Sequence, residues 1–134
     1  MTRILITGGP RTGKTTLANE MQMRPPSTGS DRPTIHRTDD LIHLGWSAAS
    51  EFIAEHWLSE PGPWIIEGVA ASRALRKWHE QHPGEPPPVD HVIYLSTPHI
   101  ELTPGQRSMA KGVETVHREI EPWLDEHGVR TEYR

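Results

Sequence analysis

The chain has no cysteine. Disulfides, thiolate catalysis and Cys-based zinc centres are therefore excluded. It has no apolar run approaching the roughly 20 residues that span a bilayer, so no membrane partner is expected. Apolar residues fill only 34% of the 134 positions, and mean hydropathy is −0.63. That share is low for a globular domain and predicts a thin core with long connections. Positive charge is scarce as well: 14 Lys and Arg stand against 18 Asp and Glu, for a net charge of −4. Bulk electrostatic binding to nucleic acid is therefore disfavoured, although a local basic patch is compatible with that balance. No N-K-x-D guanine motif occurs, which disfavours a GTPase. The N-terminus enters a strand-like run almost at once, so no secretory leader is expected and the expected location is cytoplasmic.

What is present is punctuation: 13 prolines and 11 glycines divide the chain into short elements. The length suits one domain over residues 1–134. Arg3–Thr7 reads as a buried strand and Lys14–Met23 as a helix free of proline. Arg24–Pro33 is turn chemistry throughout and predicts a surface loop. Thr34–Arg37 predicts a short second strand, and Trp46–Ser59 a helix stopped by Pro61-Gly62-Pro63. Trp64–Val69 follows as a buried strand, then a helix whose one face is Ala71, Ala74, Leu75 and Trp78. After a proline loop at 83–88, Val89–Ser96 is the next clear strand. Met109, Val113, Val116, Ile120, Trp123 and Leu124 keep helical period, with a kink or restart expected near Glu121 because of Pro122. Gly128 predicts a stop, and Val129–Tyr133 a final edge strand. Strands alternating with helices predict an α/β fold: a parallel sheet with helices on both faces.

Between the first strand and first helix, Gly8-Gly9-Pro10-Arg11-Thr12-Gly13-Lys14-Thr15 fits G-x-x-x-x-G-K-[ST], the phosphate-binding P-loop. Glycines let the backbone turn its N–H groups inward toward phosphate oxygens. Lys14 supplies a point charge for the β- and γ-phosphates, Thr15 a hydroxyl for Mg²⁺, and the helix start a positive dipole end. The expected nucleotide-binding set is Gly8, Gly9, Pro10, Arg11, Thr12, Gly13, Lys14, Thr15 and Thr16.

Three further constellations bear on the reaction. Thr38-Asp39-Asp40 follows the second strand, at the sheet end where α/β folds bind ligands. A carboxylate there either holds Mg²⁺ through water or takes the proton of an attacking hydroxyl, and one Asp can also cap the helix beginning near Leu41. Asp39 is expected in the catalytic role and Asp40 at the substrate. Glu67 ends the Trp64-Ile65-Ile66 run in the Walker B position, either supporting the metal or facing water; Gly68 beside it permits close ligand approach. Arg73 lies close enough in sequence to reach the same cleft, whereas Arg76 and Lys77 read as a solvated face. Arg107 and Lys111 share a helix face; Arg107 is the candidate to stabilise charge on the transferring group, against a plain surface role. His79-Glu80-Gln81-His82 is one residue short of the H-E-x-x-H zinc spacing, so no His-based metal site is expected. Trp46 either stacks on a planar acceptor or belongs to the core rim.

Taken together, Gly8–Thr15, Thr38–Ile42, Ile65–Val69 with Arg73, and Val89–Pro98 resemble the small P-loop kinases. This group includes adenylate and other nucleoside monophosphate kinases, shikimate and gluconate kinases, and phage nucleotide kinases. The resemblance spans most of the chain, with its specific part in the glycine-rich loop. It implies a three-layer P-loop NTPase fold with a mostly parallel sheet of about five strands and, since only a short connection follows the Val89–Ser96 strand, a minimal lid. It places Arg107 where the family's lid arginine falls. Glu67 departs from the Asp usual before that glycine in the monophosphate kinases.

The expected function is phosphoryl transfer from ATP, as its Mg²⁺ complex, to a small-molecule acceptor, foremost a nucleoside or nucleotide. Lys14, Asp39 and Arg107 are expected to be catalytic. Asp40, Glu67, Gly68 and Arg73 are expected to bind substrate, and Thr15, Asp39 and Glu67 to hold Mg²⁺, partly through water. A polynucleotide 5′-hydroxyl is a less favoured acceptor. The alternatives are an ATPase or nucleotide-dependent switch acting on a protein or nucleic-acid partner, and a nucleotide binder without turnover.

Overall fold

The computed structural model describes residues 2–23 and 32–134. In chain order the elements are β1 (Arg3–Gly8), α1 (Lys14–Met23), β2 (Thr34–Arg37), a 3-10 turn (Thr38–Leu44), α2 (Trp46–Phe52), a π-helical turn (Ile53–Trp57), β3 (Trp64–Glu67), α3 (Ala71–Gln81), β4 (His91–Leu95), α4 (Pro104–Glu126) and β5 (Arg130–Tyr133). The strands form one five-stranded sheet in the order β2-β3-β1-β4-β5, and every pairing is parallel.

A parallel sheet buries both faces, and the central strands show it in their sequence. Ile4 and Ile6 with Ile65 and Ile93 face α1 through Leu17 and Ala18. Leu5, Ile66 and Val92, one step out of phase, face the opposite layer. That layer is larger: Ala54 and Leu58, Ala71, Ala74 and Leu75 of α3, and Ile120 and Leu124 of α4 pack there. α1 leaves β1 toward one face, while α3 leaves β3 and α4 leaves β4 toward the other. The chain therefore diverges at the carboxyl end of β1, the kind of switch point at which open α/β sheets bind ligands.

Local chemistry sets the element ends. Thr103 and Gln106 form a capping box that starts α4, its hydroxyl accepting from the Gln106 amide at 3.2 Å. Gly45, at φ 92°, separates the 3-10 turn from α2. Gly128, at φ 69°, follows the end of α4 as the sequence suggests.

Three expectations are corrected. The Trp46–Ser59 helix is α-helical only to Phe52; the ladder then widens, and the Leu58 amide donates to Ile53 O at 2.9 Å. The strand beginning at Trp64 ends at Glu67, because Gly68 turns away at φ 143°. Pro122 neither breaks nor restarts α4, which runs unbroken from Pro104 to Glu126. Residues 24–31 of the proline loop lie outside the described residues. No helix among the described residues is long and apolar enough to cross a membrane.

Candidate functional site

At the carboxyl end of β1 the chain turns tightly into α1. A methyl on Gly8 would come within 2.2 Å of Leu95 O, and one on Gly9 within 2.7 Å of the Ala110 Cβ in α4. Both positions are closed to larger residues by these neighbours. Arg11 at φ 63° and Gly13 at φ 90° complete the turn. Thr12 Oγ1 donates to Gly9 O at 2.9 Å. Since α1 begins at Lys14, the amides of Lys14, Thr15 and Thr16 have no intrahelical acceptor.

Lys14 does not project into solvent as loop position alone suggests. Only 8% of it is exposed, and its ammonium donates inward to Gly9 O and to Thr12 Oγ1, the latter at 3.3 Å. Burial pulls its pKa below the ordinary lysine value, with the carboxylates of Glu67 and Asp39 acting the other way.

Glu67 ends β3 beside the loop and is 2% exposed. Thr15 Oγ1 donates to its Oε1 at 3.2 Å, and Arg37 Nε stands 3.9 Å away. Burial pushes its pKa above the usual carboxylate value, outweighing the Thr15 hydrogen bond. Register explains the cluster: β2 pairs with β3 so that Arg37 faces Glu67, which carries Asp39 just past the sheet end. Asp39 lines the same cleft, of about 480 Å³, together with the loop residues Pro10–Thr16, Glu67, Trp46, Val69 and Met109. Thr15, Thr16 and Asp39 are exposed to solvent.

Other expected site residues fall elsewhere. Asp40 is exposed but does not line this cleft. The space at Gly68 is filled by Thr38, whose Oγ1 would lie 1.8 Å from an added methyl, so the close approach is Thr38's and not a ligand's. Arg73 does not line the cleft at the loop. Its Cζ lies 5.6 Å from the Trp46 ring centroid. It lines an adjoining recess of about 240 Å³ that shares Trp46, Val69 and Met109 with the main cleft. Arg107 lies on another side of the loop, lining a cleft of about 870 Å³ with Gly9, Pro10 and Thr12. Its Nη1 donates to Leu102 O at 2.8 Å, and it does not line the cleft of Asp39 and Glu67. Lys111 and Arg118 both line that second cleft, Arg118 paired there with Glu114. His79 stacks on Trp123 and His82 on Trp78, at centroid distances of 3.9 and 4.1 Å.

Two residues near the loop were missed by sequence reasoning. Arg37 reaches Glu67 only through the β2–β3 register. His99, from the connection between β4 and α4, lies on the loop at Gly13. Neither stands in a recognisable spacing, so no sequence signal marks them. No family model matches the chain, and the search of curated proteins found no match.

Proposed function

We propose that the chain is a small phosphotransferase of the P-loop kinase kind, moving the γ-phosphoryl group of ATP, taken as its Mg²⁺ complex, to a nucleoside or nucleotide acceptor. The observation that carries this reading is the convergence, at one sheet end, of the glycine turn, Lys14, Thr15 and the buried Glu67.

The donor set fits Mg²⁺. Thr15 Oγ1 and Glu67 Oε1 are neighbouring hard oxygen donors, and Glu67 is buried with its nearest arginine nitrogen 3.9 Å away. Thr15 and Glu67 would hold the ion, with Asp39 reaching it through water. Bound there, it would neutralise charge on the β- and γ-oxygens. The remaining work falls to the chain itself. The amides of Lys14, Thr15 and Thr16, at the positive end of α1, hold the phosphates. Lys14 exchanges Gly9 O for phosphate oxygens, whose charge offsets its burial. Asp39, at the exposed mouth, orients the acceptor hydroxyl and takes its proton. The acceptor oxygen then bonds to the γ-phosphorus as the β–γ bridging bond breaks and ADP leaves. The recess of Trp46, Val69 and Met109, with Arg73 over the indole, offers a flat apolar wall beside a cation. That pairing suits a planar acceptor bearing an anionic group better than a sugar.

A second reading, ATP hydrolysis driven by a protein or nucleic-acid partner, is favoured by the exposure of Thr15, Thr16 and Asp39, which leaves water access to the loop. The deciding experiment follows ADP formation with Mg²⁺ and a panel of nucleosides, nucleotides, 5′-hydroxyl oligonucleotides and small metabolites, with Lys14→Ala as control. Acceptor-stimulated turnover, lost in the variant, supports the kinase. Acceptor-independent hydrolysis overturns it in favour of the ATPase, and nucleotide binding without turnover leaves only a binder.

A further inference from the structure

The connection from β4 to α4, Ser96–Thr103, is pinned at three points. The Ser96 amide donates to Arg134 O at 2.8 Å, Arg107 Nη1 to Leu102 O at 2.8 Å, and, between them, the His99 amide to Arg11 O at 2.7 Å. The middle tie lands on the glycine loop itself, at the residue whose positive φ turns it. The His99 ring follows its backbone. A methyl built on Gly13 would meet His99 Cε1 at 2.8 Å and Nε2 at 3.4 Å. The imidazole therefore lies against the bare Cα of Gly13, next to the unpaired amides that open α1. Lys14 turns its ammonium into the loop, onto Gly9 O and Thr12 Oγ1. His99 is exposed, so its ring can turn about the side-chain bonds while Arg11 O fixes its backbone.

We infer that His99 is a phosphate-contacting residue: an imidazole N–H donates to an oxygen of the polyphosphate tail seated on the Gly13–Thr15 amides, and the Ser96–Thr103 strap sets its position. This rests on the phosphate site proposed above. The ring touches the loop at its glycine, outside the lining of the Asp39–Glu67 cleft, and turns about its side-chain bonds to meet an oxygen arriving there. The strap holds the ring at the loop through the His99 amide on Arg11 O, and a donor to an anionic oxygen is among the stronger hydrogen bonds.

The test is calorimetric binding of inorganic tripolyphosphate and of MgATP to the full chain, in wild type, His99→Ala, His99→Gln and Lys14→Ala. His99→Ala is expected to weaken both probes by a similar factor, about tenfold or more. His99→Gln is expected to recover part of the loss, because its amide still donates. Unfolding curves should match wild type, since the side chain is exposed. Unchanged binding in His99→Ala overturns the inference, and so does tighter binding, which would mark the ring as a cover that ligand displaces. If wild type binds neither probe, the phosphate site falls and His99 falls with it. If Lys14→Ala loses binding while His99→Ala keeps it, the loop stands and only the role of His99 is overturned.

Discussion

Glu67 is a carboxyl group folded into a place that disfavours its charge. Because burial raises its folded-state pKa above the ordinary 4.5, the native state holds the proton more tightly than the unfolded chain. Its share of stability is therefore whole below pH 4.5 and is lost as pH rises through the raised value. Glu67→Gln, which keeps the shape and removes the charge, is expected to melt higher than wild type at pH 8, with the gap closing toward pH 4.5. The same variant is expected to lose nucleotide turnover. A melting difference independent of pH would show that Glu67 carries no such strain. Asp39 and Asp40 offer a paired comparison, because both are exposed and neither substitution should disturb the fold. Only Asp39 lines the loop cleft. Asp39→Asn is expected to lower kcat by about 100-fold or more, and Asp40→Asn by less than about threefold. The opposite ranking in steady-state rates would place the acceptor on the other carboxylate.

Elements differ in how far sequence reveals them. β1, the glycine turn and α1 were legible because their determinants are local: an apolar run, glycines at fixed offsets, a proline-free helix start. β5 was legible as well, since Gly128 punctuates it from α4. The π-helical turn at Ile53–Trp57 was not, because a helix-spaced run gives no sign of a widened ladder. Nor was the continuity of α4. Proline at position 122 removes the amide that would bond Arg118 O, yet the helix continues past it, with tertiary contacts on both sides: Ile120, Trp123 and Leu124 all lie in the core. That packing offsets a local cost, and the cost should be measurable. Pro122 is exposed, so Pro122→Ala restores a hydrogen bond without disturbing the core. It is expected to raise stability by about 1–3 kcal/mol in denaturant titration. No gain would mean that the helix had already relaxed around the proline.

At the scale of the whole molecule, strand order decides which candidates meet. With β1 flanked by β3 and β4, the loop, Glu67 and, through β2, Asp39 and Arg37 share one end of the sheet. The alternation of strands and helices foretold a parallel sheet but not its order, so the meeting of Arg37 with Glu67 lay beyond reach. For the same reason Arg107, though suitably placed along the chain, lies on another side of the loop and anchors the strap. The site therefore depends on the folded sheet, and a ligand that occupies it must stabilise the whole domain rather than a segment. With MgATP at about 100 times its Kd, linkage adds about 2.7 kcal/mol to native stability, which for a chain of this size raises Tm by roughly 10 °C. Wild type is expected to show that rise in thermal unfolding, with adenosine giving less because it lacks the phosphates. Lys14→Ala is expected to show little of it. An equal rise in both proteins would place the nucleotide away from the glycine loop; no rise in wild type at millimolar MgATP would remove the nucleotide itself.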